Sequence, residues 1–491
     1  MEPSHDPRLL LAVLVPLVGT GLIMASGRRP NVREGCSLVA ALVLFLLTAS
    51  LIPDVRAGKK LVFTVCQLLP GVSVTLRADA LSMIFAVSAS FLWVLTVFYS
   101  AGYMRGLQEH AQTRFSACFA LALLGAVGCA FADNLFTLYL FYEIVSVCTY
   151  PLVAHHQDAE GYEGGRKYLV YLTTAAKGLV LPAMVLIYVL TGSLDFADNI
   201  RSGILPPAVE RGVVTVLYVC CLLGFAKNGV MPLHHWLPGA MVAPTPVSAL
   251  LHAVAVVKVG VFSTVRVMLY VFGVDRMAEC HLGLPTAYFV SGTILVASLV
   301  ALTKDNLKAR LAYSTVSQLS YVILGVGLLT PAAIQGGLVH IANHAFAKIT
   351  LFFCAGAIYV ATHKKDISEM SGLGRYMPFT FGAFALASLG MIGAPPVGGF
   401  VSKWYLLNGA WDAGSLGILA VLLVSTVLNA AYFAPVVYQA FFGQLPAADA
   451  GRTYREASPA LVVPLSVTAL ISVVLGFYPD FFLRFARAVL P

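Results

Sequence analysis

Apolar residues fill this chain in long runs separated by short polar stretches. Most runs approach the ~20 residues that an α-helix needs to cross ~30 Å of hydrocarbon. Fourteen helices are predicted, at 8–26, 34–53, 78–100, 114–131, 134–154, 166–191, 211–240, 246–272, 283–302, 307–330, 333–359, 375–411, 414–443 and 459–487. The first run, Leu9 to Met24, lacks a small-residue cleavage site and is read as a crossing, not a signal peptide. The fold class is an all-α polytopic membrane protein.

Two runs are interrupted. In Gly224 to Gly260, GFAKNGVMPLHHWLPGAMVAPTPVSALLHAVAVVKVG, the seventh helix breaks at Gly229 and Pro232, and the eighth then carries His252 and Lys258. Proline removes a backbone donor and clashes with the preceding turn. Freed backbone groups at membrane depth need protein or water partners, so a break there is expected to line a hydrated cavity. The twelfth helix breaks similarly at GAPPVGG, 393–399. Helices 4–8 and 9–13 form two five-helix blocks, and an odd number of crossings makes consecutive blocks run oppositely. Each block interrupts its fourth helix beside a lysine, Lys227 or Lys403. That pattern predicts inverted repeats with function at the discontinuous helices. The expected divisions are 1–110 (helices 1–3), 111–272 (first repeat), 273–445 (second repeat) and 446–491 (last helix).

Composition sharpens this picture. Hydrophobic residues make up 59% of the chain and charged residues only 11%, less than half the ~25% of soluble domains. The net charge of +8 needs no nucleic acid, because loop lysines and arginines orient membrane proteins. With the Arg28–Arg33 loop placed in the cytoplasm, the cytoplasmic side holds 15 Lys and Arg and the other side 10. Both termini then lie outside a plasma membrane. The nine cysteines contain no CxxC, and there is no phosphate loop or dinucleotide fingerprint. No cofactor and no metal site is expected, and no catalytic chemistry by the chain alone.

Charges inside the runs are costly, ~2.5–3.5 kcal/mol each on insertion scales, and therefore point to function. Glu143 lies mid-helix in LFTLYLFYEIVSVCTYP, and its expected partner is Lys227. Lys258 lies too deep to reach an interface. His340, His344 and Lys348 recur every fourth residue and share one helical face, spanning ~12 Å. Bridged by water, they would make a proton relay; zinc is the rival for the two histidines, but no third ligand is suitably spaced. Lys177 could join the path or pair with Glu143, and His252 could be a relay or a structural histidine. Arg266 is expected to snorkel outward, and Lys304 and Arg310 to anchor the cytoplasmic side.

PLHHWLPGAMVAPTPVSALLHA (232–253), KDNLKARLAYSTVSQLSYVILG (304–325), HIANHAFAKITLFFCAGAIY (340–359) and GAPPVGGFVSKWYL (393–406) resemble the signature segments of the antiporter-like family. That family comprises proton-channel subunits of respiratory complex I, large subunits of Mrp-type sodium/proton antiporters, and related hydrogenase-type subunits. The resemblance implies fourteen helices, inverted repeats, and a hydrated lateral axis of charge. On that axis it places Glu143, Lys227, Lys258, Lys403, His340, His344 and Lys308. Length and the lysine at 403 look most similar to the D-type large subunits of Mrp antiporters; Lys177 has no match.

The leading reading is therefore a subunit that translocates protons, with sodium coupling left open, within a larger complex of membrane subunits. The alternatives are a secondary transporter of another solute and a quinone-associated subunit of a redox complex without its own cofactor.

Overall fold

The computed structural model describes residues 4–446 and 454–490. The crossing helices are α1 (Pro7–Ala25), α2 (Pro30–Ser50), α3 (Ala80–Gly106), α4 (Gln112–Phe131), α5 (Leu135–Val153), α6 (Ala159–Thr191), α7 (Arg211–Gly224), α8 (Thr245–Phe272), α9 (Gly283–Thr303), α10 (Leu307–Gly327), α11 (Pro331–Thr362), α12 (Pro378–Ile392, resuming as Gly398–Asp412), α13 (Leu416–Phe442) and α14 (Pro459–Phe477). Eleven of these are long and apolar enough to cross a membrane; α7, α10 and α12 complete the fourteen expected.

Three parts differ from expectation. The run at 459–487 divides at Tyr478–Pro479, and a separate helix, α15 (Asp480–Val489), follows. α15 is amphipathic: Phe482, Leu483, Phe485, Ala486 and Val489 are buried, while Arg484 and Arg487 remain exposed. Its apolar face packs on α3 and α11. The segment at 54–77, between the second and third predicted helices, adds β-structure to the expected all-α class. It forms a hairpin of β2 (Leu61–Leu69) and β3 (Val72–Ala78), joined by β1 (Ser4–His5) in the order β1-β2-β3. Of the predicted last division, 446–491, residues 447–453 lie outside the described residues.

The third difference is Arg266. Instead of snorkelling, it is fully buried late in α8. Its guanidinium grips both Asp79 oxygens, Nη1 to Oδ2 at 2.5 Å and Nη2 to Oδ1 at 3.0 Å. Asp79 caps α3, just beyond β3, and also faces Arg77 at 3.4 Å. Burial by itself would raise the Asp79 carboxyl, but the two arginines outweigh it and hold it well below the carboxylate range. A carboxylate lowered on folding stabilises the fold above its unfolded pKa of ~3.9 and loses that contribution as pH falls. Removing one partner of a buried pair costs ~3–5 kcal/mol. Because Asp79 borders a cavity and retains Arg77, Arg266→Met is expected to destabilise the protein by about 2–3 kcal/mol at pH 7. Chemical unfolding in detergent checks this, and the deficit should shrink below pH ~4.

Candidate functional site

The site begins where α7 stops. Phe225 leaves helical geometry, Ala226–Asn228 form one tight turn, and Gly229 takes a left-handed φ of +71°. Side chains around this break satisfy its backbone groups. Asn228 Nδ2 donates to the Leu222 carbonyl (2.8 Å), and its Oδ1 accepts from Val230 N (3.0 Å). Trp236 Nε1 donates to the Ala226 carbonyl at 3.0 Å. Polar backbone is thus tolerated at membrane depth because side chains replace the helical ladder.

That turn points Lys227 into the interior with no exposed surface. Its Nζ donates to the Tyr142 carbonyl (2.8 Å) and Ser146 Oγ (2.6 Å), and stands 3.1 Å from the centre of the Tyr142 ring. The expected ion pair with Glu143 is not made directly. Glu143, next to Tyr142 on α5, is only half-buried and makes no ion pair with Lys227. Its Oε1 has no hydrogen-bond partner. Glu143 and Lys227 remain within electrostatic reach, with Ser146 beside both. Lys177 also acts on Glu143 electrostatically, yet it is exposed on the flank of α6, where the helix widens into a π-turn over Ala176–Val180.

In α8 every residue from Val256 to Phe272 is buried. Lys258 Nζ lies 2.6 Å from His344 Nδ1 of α11, which joins the two predicted repeats through one contact. The histidine column on α11 does not bond to itself. His340 and His344 have ring centres 5.8 Å apart, but each turns to a different helix. His340 bonds Ser402 Oγ at 2.8 Å and Gln318 Oε1 at 3.0 Å. Lys348 donates to the Leu311 carbonyl (3.1 Å) and Ser314 Oγ (2.9 Å) of α10. His252 is fully buried against Phe352 with both ring nitrogens unpartnered, within electrostatic reach of Lys348 and Lys308.

At the second break Gly393 takes a φ of +86°, and Lys403 folds back so that its Nζ donates to the Ile392 carbonyl at 2.8 Å. A Cβ on Gly393 would meet Lys403 Cδ at 2.4 Å, so glycine is needed for this return as well as for the backbone angle. Among the described residues, Lys227, Lys258, Lys348 and Lys403 have no carboxylate within ion-pair distance; each amine rests on carbonyl, hydroxyl or imidazole.

Two cavities lie at opposite ends of the bundle. One, of about 560 Å³, is bounded by Glu109, His156, Asp158, Glu160, Lys308 and Lys364. Lys308 Nζ donates to the Ala243 carbonyl on its wall at 2.6 Å. The other, about 310 Å³, is bounded by Lys59, Lys60, Arg77, Asp79 and Asp198.

Sequence reasoning did not single out Tyr142, Ser146, Gln318, Ser314 or Ser402. Each is a neutral polar residue near a charge in sequence or one helix away, and such residues are common in membrane helices.

The family of transmembrane subunits described as NADH:quinone oxidoreductase/Mrp antiporter matches residues 132–429, which contain all ten residues considered above as ion-path candidates. The chain belongs to this family. NADH-quinone oxidoreductase subunit N of Desulforudis audaxviator is 33% identical over 502 residues, covering 97% of this chain and 96% of that one. Na(+)/H(+) antiporter subunit A1 of Staphylococcus aureus is 28% identical over 473 residues, covering 90% of this chain and 57% of the antiporter subunit. A chain of the Mrp complex from Dietzia sp. DQ12-45-1b shares the fold, with a TM-score of 0.86 over 98% of this chain and 96% of that one, at 23% identity. Relatives thus come from both the oxidoreductase and the antiporter branches of the family.

Proposed function

We propose that this chain translocates protons as one subunit of a multi-subunit membrane complex. The supporting observation is the 2.6 Å contact between Lys258 and His344, buried at the centre of the molecule without a carboxylate nearby. Amine and imidazole at this distance can share one proton and pass it on. The path runs from the larger cavity through Lys308, His252 and Lys348 to His344 and Lys258. From there it branches toward Lys227 and Glu143 on one flank and His340 and Lys403 on the other. Blocks 111–272 and 273–445 supply the two arms as inverted repeats. A row of amines and imidazoles repels a hard cation whenever it is protonated, so protons are the ion assigned here and sodium is not.

Lys177 and Glu143 reach an open flank of the chain. A charge facing lipid there would carry the full insertion penalty, so this flank is where a neighbouring membrane subunit is expected to sit. In a plasma membrane, the larger cavity then opens to the cytoplasm and both termini lie outside.

The test is translocation by the assembled complex in vesicles, read with a pH-sensitive dye. Lys258→Met is expected to lower the proton flux roughly 100-fold, within the range that one positioned proton-transfer group contributes. His344→Gln, which keeps a polar side chain without the same proton chemistry, should fall by a similar factor. Undiminished flux in both variants, with normal assembly, would overturn the reading.

A further inference from the structure

Outside the translocation row, four chemistry-bearing side chains converge from two loops. Glu109 and His110 follow α3, and His155 and His156 follow α5, some 45 residues later in the chain. Glu109 Oε2 is their centre. It lies 3.7 Å from His155 Nε2, 3.7 Å from His156 Nδ1 and 4.0 Å from His110 Nδ1. The ligand atoms of Glu109, His110 and His155 all fall within 4.8 Å of one another.

These separations are too long for hydrogen bonds, and they bring three rings and a carboxylate around one point. His155 is decisive. It has no exposed surface, and neither of its ring nitrogens has a hydrogen-bond partner. A buried imidazole with neither nitrogen in a well-formed hydrogen bond has given up the solvation of two polar atoms. Glu109 Oε2, 3.7 Å from His155 Nε2, does not supply the missing hydrogen bond. An imidazole nitrogen free of other bonds is a common metal ligand.

We propose that Glu109, His110, His155 and His156 form a binding site for a zinc-class divalent metal ion at the rim of the larger cavity. Tetrahedral zinc with bonds of ~2.0–2.1 Å holds its ligand atoms roughly 3.3 Å apart, so separations of up to 4.8 Å need to contract by as much as about 1.5 Å. The room to do so exists. His110 and His156 are 48% and 34% exposed at the side chain, while buried His155 and nearly buried Glu109 supply the fixed side of the site. Three imidazoles and one carboxylate suit zinc, cobalt or nickel and offer too few oxygens for calcium or magnesium. Arg114, the cation beside the cluster, donates to the His155 carbonyl at 2.9 Å and leaves the ring nitrogens free. Glu109 and His156 also bound the cavity, so an ion held here occupies its edge.

The test is metal binding by the full chain, purified within its complex. Co²⁺ should bind with one ion per chain and give the intense visible absorption of tetrahedral coordination, and Zn²⁺ should displace it. His155→Ala is expected to abolish the band and weaken Zn²⁺ binding at least ~10-fold, since even outer-shell partners of a metal contribute that much. Should His155→Ala misfold, the doubly substituted His110→Ala/His156→Ala protein, altered only at solvent-accessible rings, is expected to show the same loss. His363→Ala, at an exposed histidine elsewhere, should bind as the parent does. Absence of a tetrahedral Co²⁺ band in the parent, or unchanged Zn²⁺ affinity and stoichiometry in the double variant, would overturn the proposal.

Discussion

Replacing Lys227 with alanine is expected to lower proton translocation by roughly 100-fold or more while the complex still assembles. The amine is held at one point by two hydrogen bonds and the Tyr142 ring, all supplied by α5. No water-sized substitute reproduces a titratable group at that place. The truncated side chain leaves the Tyr142 carbonyl and Ser146 without their donor, but both retain helical partners, since Ser146 Oγ also lies 3.4 Å from the Tyr142 carbonyl. The effect should therefore fall on transport more than on stability. Proton flux in vesicles, set beside the thermal unfolding of the same preparation, separates the two. Flux close to the parent's would show that the path bypasses the first break.

The second large effect concerns packing. Gly260 of α8 lies directly against the α7 break, and a Cβ there would fall 2.1 Å from the Lys227 carbonyl carbon and 2.2 Å from Asn228 N. Both obstacles are backbone, which cannot rotate aside as a side chain can. In an exposed helix, Gly→Ala favours folding by about 1 kcal/mol. Here, overpacking at about 1–3 kcal/mol or more works against that gain. Gly260→Ala is expected to destabilise the protein by about 2 kcal/mol net, and Gly260→Val to prevent accumulation of folded chain. Gly292, with nothing within 4 Å of its Cβ position, provides the comparison: Gly292→Ala should be neutral or slightly stabilising. A Gly260→Ala protein as stable as its parent in thermal unfolding would show that the two helices do not meet this closely.

The contrast between these positions shows how far a reading of residues reaches. Fourteen apolar runs, the two breaks, and the lysines beside them follow from the sequence, because membrane insertion acts on composition one helix at a time. Boundaries agree within a few residues along most of the chain. The exceptions have local causes. A proline after Tyr478 separates α15 from α14, and the arms of the hairpin at 61–78, 9 and 7 residues long, are too short to register in a search for membrane-crossing runs. Arg266 departs from expectation for a related reason. From its position late in α8, snorkelling and burial look alike, and only the fold brings Asp79 to meet it.

The site divides along the same line. That Glu143, Lys227, Lys258, His340, His344, Lys348 and Lys403 are costly and therefore functional candidates is a statement about single residues in hydrocarbon. Which of them touch is not. The spacing on α11 aligns His340, His344 and Lys348, yet the structure sends them to Ser402, Lys258 and Ser314, because facing helices compete for each polar group. Likewise, Glu143 does not bond Lys227 directly, and Lys177 lies exposed on the flank of α6, within the π-turn. The cluster around Glu109 is invisible to a reading of motifs because its two halves lie on different loops. Sequence alone determined the class, the helices, their breaks and the cost of each buried charge. Tertiary structure alone decided the partners, because hydrogen bonds across helices depend on angles and distances that no local periodicity encodes.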